Sequence, residues 1–103
     1  MNRNKNLPLT ETTYYILLSL LDTGYGYVIM EMVKELSNYQ VKIAAGTLYG
    51  AIENLLKQKL IKFIATEDNR RKVYVITEKG KEVLRLDFER MRHMINITES
   101  KLK

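Results

Sequence analysis

Cysteine is absent from the 103 residues. That excludes a disulfide framework and any thiolate metal site, and it fits a reducing compartment. Histidine occurs once, at His93, so no histidine cluster exists to hold a metal or share a proton; a surface or interface position is expected for it. Glycines are few, and none belongs to a phosphate-cradling loop. Gly24-Tyr25-Gly26 lacks the third glycine and the preceding strand of a dinucleotide fingerprint. No nucleophile motif is present. These absences exclude an enzyme and give no reason to expect a cofactor. Long apolar runs are missing as well. The longest, residues 14–21, is far too short to span a bilayer, and the opening MNRNKNLPL has no signal-peptide core. A cytoplasmic protein with no membrane partner is expected.

What is present is a chain of one domain's length, with a modest core that a partner subunit would enlarge. Net charge is +5, unevenly spread. Residues 1–39 carry three Lys/Arg and four Asp/Glu, residues 40–81 nine against four, and residues 82–103 five against four. The excess therefore lies in the middle segment. A localised basic region suits a polyanion, although a scattered solvated surface has the same composition.

Periodicity divides the chain. Residues 1–9 read as a flexible arm with Arg3 and Lys5. Thr10 is placed to cap a first helix that runs to about Leu21 and is apolar almost all round, the mark of a central helix. Residues 22–26 read as a glycine turn. A second helix over about 27–37 turns Tyr27, Met30 and Val33 to the core, with Ile29 and Leu36 as further candidates. Val41-Lys42-Ile43 alternates like a very short strand. Residues 44–60 form a third helix, with Leu48, Ile52, Leu55 and Leu56 as its apolar stripe. Residues 61–66 and 71–77 then read as two strands across a polar turn, a β-hairpin. Thr77 is placed to cap a last helix that reaches about Lys101.

The fold class is mainly α with a small β-hairpin: an arm (1–9), a winged helix-turn-helix (10–77) and a C-terminal dimerisation helix (78–103). The third helix shows Thr47, Gly50, Asn54 and Lys57 on its outer face, small and polar first, basic last. Such a face fits a major groove, although a solvated helix has one too. The hairpin tip adds Arg70, Arg71 and Lys72. Three consecutive cations beside a basic helix favour phosphate contacts over a merely solvated turn. Double-stranded DNA is the expected partner.

At this point the residues resemble the PadR family of bacterial transcriptional regulators. Leu9-Thr10 with Tyr14-Tyr15-Ile16-Leu17-Leu18 matches the family's first helix, and Gly46-Thr47-Leu48-Tyr49 its GTLY signature. Residues 70–80, RRKVYVITEKG, match its wing strand and the RRxYxLTxxG pattern. The likeness covers about residues 8–90 and resembles the compact branch with a single C-terminal helix. Three positions depart from the pattern: Tyr25 stands for the His of His-Gly-Tyr, Gly50 follows GTLY where Pro is frequent, and Lys59 replaces a Gly after the recognition helix. The resemblance implies a homodimeric repressor of palindromic operators. It places Thr47 and Tyr49 near DNA and Arg70, Arg71 and Lys72 in the wing. Some members of the family release DNA when a small molecule binds.

The last helix argues for a dimer on its own. Leu84, Phe88, Met91, Ile95, Thr98 and Leu102 are spaced 4, 3, 4, 3, 4, the seam of one helix along another. A helix of 24 residues is about 36 Å long, too long for so small a domain to cover. Tyr15, Phe88, Met91 and Met94 are candidates to line an apolar space for a small hydrophobic or aromatic effector, or else are core. The alternative function is a winged-helix protein-interaction module without specific DNA binding, for which the wing cations are dispensable.

Overall fold

The computed structural model describes residues 4–64 and 72–103. Thr10 starts the first helix, α1 (Glu11–Ser19), by accepting the Thr13 amide on its Oγ1 at 3.1 Å. Ile16, Leu17 and the C-cap Leu20 are fully buried, so α1 is the central helix expected. It stops short of Leu21, whose side chain is exposed.

The next element corrects the expected glycine turn. Gly24–Tyr25 is a two-residue strand, β1, which precedes α2 (Gly26–Leu36). It pairs antiparallel with β3 (Val73–Ile76), with Gly24 opposite Tyr74 and Tyr25 opposite Val73. β2 (Ile61–Ile64) pairs with the other edge of β3, giving the order β1-β3-β2. The wing is therefore a three-stranded sheet. So short a strand has no periodicity of its own; β3 alongside it supplies the ladder.

α2 also differs from expectation. Its core residues are Ile29 and Val33, with Met30 half-buried, whereas Tyr27 is 70% exposed and Leu36 is exposed. Tyr27 lies about 200° round the helix from Ile29, so only one of them can face inward. After α2, Asn38 and Tyr39 both take left-handed backbone angles, φ 55° and 63°. The strand expected at residues 41–43 does not form. The Val41 amide instead donates to Ser37 Oγ at 2.9 Å, and the Val41 side chain is buried.

α3 (Ala45–Lys57) buries Leu48, Ile52 and Leu55 and half-buries Leu56, as its stripe requires. It ends on Lys59 at φ 63°. The Lys59 amide donates to the Leu56 carbonyl and the Leu60 amide to the Leu55 carbonyl, both at 3.0 Å. That is the Schellman arrangement, whose left-handed position favours glycine.

α4 (Glu78–Lys101) begins against this bend. Thr77 Oγ1 accepts the Gly80 amide at 3.0 Å and donates to the Lys59 carbonyl at 2.7 Å. The Thr77 amide donates to the Leu60 carbonyl, and Lys79 Nζ to the Gln58 carbonyl, both at 3.0 Å. A Cβ on Gly80 would collide with the Leu60 carbonyl oxygen and lie 2.7 Å from Ile76 Cγ1. Only glycine allows this approach. Val83 and Leu84 then join the core, and α4 packs along α1. Beyond Met91 every residue is exposed, and the molecule is 54 Å long by 32 and 21 Å.

Candidate nucleic-acid interface

α3 reaches its exposed face without a side-chain cap. Ala44 holds the N-cap position and makes no side-chain cap hydrogen bond. Thr47, Tyr49, Gly50, Asn54 and Lys57 are all exposed. A Cβ added to Gly46 or Gly50 would meet nothing within 4 Å. The crest of α3 is therefore low and open, so that another backbone can approach it closely.

Two hollows flank this crest and meet at Gly50. The larger, about 1040 Å³, lies between α3, the start of α2 and β3, with Tyr25, Tyr27, Tyr49, Tyr74 and Lys72 among its walls. Tyr49 is its centrepiece. The ring is about half exposed and packs against Gly26, where a Cβ would lie 2.7 Å from Tyr49 Oη and 3.0 Å from Cε1 and Cζ. Across the hollow, Tyr74 is buried and meets Phe63 edge-on, with ring centroids 6.3 Å apart. Burial, and then the neighbouring Tyr49, push the Tyr74 hydroxyl pKa up from its usual range. The smaller hollow, about 340 Å³, lies on the other flank, between α3 and the N-terminal arm.

The fold thus brings Thr47, Tyr49, Gly50, Asn54, Lys57 and Lys72 onto and beside one face. Arg70 and Arg71, expected at the wing tip, lie outside the described residues. Sequence reasoning missed Tyr25 and Tyr27, taking one for a turn and the other for core. The signal that finds Tyr27 is Ile29, which fills the inward face of α2 about 200° away and so turns Tyr27 outward.

The hollow that Phe88 lines does not bring the expected effector residues together. Phe88 lines a hollow of about 300 Å³ between α1 and α4, with Tyr14, Leu18 and Leu84. Tyr15, Met91 and Met94 are not among its walls. Phe88 carries the Arg92 guanidinium 4.4 Å from its ring centre, and Arg90 Nη1 lies 3.7 Å from Met94 Sδ. His93 is exposed on α4. Among the described residues, no helix is long and apolar enough to cross a membrane.

The family model of the PadR-like transcriptional regulators matches residues 16–86. This chain belongs to that family. It is a transcriptional regulator and not an enzyme. The match runs from within α1 into the first half of α4, so it takes in the winged helix apart from the start of α1. The sequence matches no curated protein. Among solved structures, a PadR family regulator from Eggerthella lenta is 29% identical, with a TM-score of 0.64 over 87% of this chain and 79% of that one. A PadR family regulator from Clostridium difficile is 25% identical, with a TM-score of 0.66 over 88% and 98%. A transcriptional regulator from Clostridium thermocellum shares the fold over all of both chains, at 23% identity and a TM-score of 0.74.

Proposed function

We propose that this PadR-like regulator is a cytoplasmic homodimeric repressor that lays α3 in the major groove of a palindromic operator. The observation that carries this reading is the open crest of α3, with Gly46 and Gly50 free of neighbours and Thr47, Asn54 and Lys57 exposed around them. A helix with so low a crest brings its donors and acceptors close to base edges. In this reading Thr47, Gly50 and Asn54 face bases. Tyr49, Lys57 and the wing cations Arg70, Arg71 and Lys72 hold phosphates.

The dimer is assigned to α4. Leu84 of the seam is buried in its own subunit, 7% exposed. Phe88, Ile95 and Leu102 stand exposed, as Thr98 does, with Met91 half-buried. Pairing two copies along this stripe covers apolar surface that a lone chain leaves in water. A twofold axis then sets two α3 helices about one DNA turn, roughly 34 Å, apart. A small hydrophobic or aromatic effector fits the same place, between subunits beside Phe88, Met91, Met94 and Tyr15, where its binding respaces the helices.

Gel-shift titration against duplexes from its own upstream region tests the reading. Arg71→Ala weakens binding on every sequence and lowers the log–log salt slope by about 1. Asn54→Ala or Thr47→Ala changes which bases are preferred. Identical behaviour of the two classes, or no specific complex at moderate salt, refutes it.

A further inference from the structure

The wing side of α3 carries Lys72 among the described residues, whereas the opposite side is walled by the N-terminal arm. That arm is not a loose tail over its described residues. Asn4 Oδ1 accepts the Asn6 amide at 2.8 Å, and the Asn4 carbonyl accepts the Leu7 amide at 3.0 Å, closing a tight turn. Leu7 and Leu9 pack on the hydrophobic core and anchor it. Lys5 sits at the tip of this turn, exposed. It lines the 340 Å³ hollow together with Asn6, Thr10, Asn54 and Gln58. The walls of that hollow include a cation and no carboxylate, whereas those of the wing-side hollow pair Lys72 with Glu53.

We propose that the arm is a second backbone clamp: Lys5 binds a DNA phosphate on the flank of α3 opposite the wing. The inference rests on the DNA-binding reading above and extends it. A helix about 10 Å across fills a major groove about 12 Å wide, so phosphate backbones border it on both flanks. With α3 in the groove, the wing meets one backbone and the arm meets the other. Because the turn and its two leucines already hold the arm, the Lys5 backbone is held in place before DNA arrives, which lowers the entropy cost of the contact. Asn6 sits beside it with an amide that suits the same phosphate or its neighbour.

The test measures the salt dependence of binding to a mixed-sequence duplex by fluorescence anisotropy, using the full chain and its Lys5→Ala, Lys5→Arg, Lys72→Ala and Lys101→Ala variants. Thermal melting of each variant accompanies it. Lys5→Ala is expected to weaken binding roughly fivefold and lower the log–log salt slope by about 1, with an unchanged melting temperature. Lys5→Arg keeps the slope, and Lys101→Ala, at the far end of α4, leaves it alone. An unchanged slope for Lys5→Ala beside a reduced one for Lys72→Ala overturns the clamp while the DNA reading stands. A slope reduced equally by Lys101→Ala also overturns it, because the effect is then general charge and not a local contact. If neither Lys72→Ala nor Lys5→Ala moves the slope, the clamp falls together with the DNA-binding reading.

Discussion

The two halves of α4 share one sequence pattern and meet opposite environments. In the first half, Gly80, Val83, Leu84 and Asp87 are buried. Asp87 is 1% exposed yet bears a carboxyl group, which accepts Arg90 Nε at 2.6 Å. It also lies near enough to Tyr14 of α1 to add to the burial that raises that hydroxyl's pKa. Beyond Asp87 the large apolar side chains Phe88, Met94, Ile95, Ile97 and Leu102 are exposed. The solvent side of the first half carries ion pairs along the helix's own surface, where Arg85 bridges Glu82 and Glu89 at 2.6 and 2.8 Å. Exposed pairs of this kind add little stability. The difference teaches that one apolar repeat meets two environments in succession. Its base completes the subunit, and its tip leaves apolar side chains in water.

If the tip acts between subunits, the largest effect of changing it appears in association. Ile95→Asp removes about 1.5 kcal/mol of burial per copy, so the dimer dissociation constant rises about a hundredfold. Sedimentation at micromolar concentration reads this, and a variant that stays dimeric breaks the division of α4. The base responds in the other way. Gly80→Ala drives a methyl group against the Leu60 carbonyl and costs about 2 kcal/mol of subunit stability, measured by urea unfolding. An unchanged midpoint means that the joint between α3 and α4 is looser than its hydrogen bonds imply. The smallest effect sharpens the picture of that joint. Lys59→Gly relieves the left-handed strain and gains about 0.5–1 kcal/mol by the same assay. A loss of stability there would show that the Lys59 side chain, and not only its carbonyl, supports the bend.

Much of this architecture was legible in the residues. Thr10 and Thr77 cap helices where a hydroxyl is needed, because capping is decided within three residues of the cap. The stripe of α3 and the alternation of β3 follow from periods of 3.6 and 2. The PadR-like signatures lie on those same elements, which is why family membership could be expected from short motifs. Less of the interface was legible. Thr47, Gly50 and Asn54 follow from the face of a single helix, but the walls beside them do not. Tyr27 and Lys5 reach α3 from elsewhere in the chain, and no local pattern records where a distant segment will pack.

The sequence by itself determined the four helices, the strands β2 and β3, and that the positive charge gathers in residues 40–81. These are matters of neighbours a few residues apart. Only the tertiary structure decided that Gly24 and Tyr25 form a strand, because the partner ladder is supplied by residues about fifty positions away. It alone set Tyr49 against Gly26. It also drew the line in α4 between Leu84, which folds the subunit, and Phe88, which does not. That line lies where the helix outruns the domain, and the width of a domain is a property of its packing rather than of any one segment.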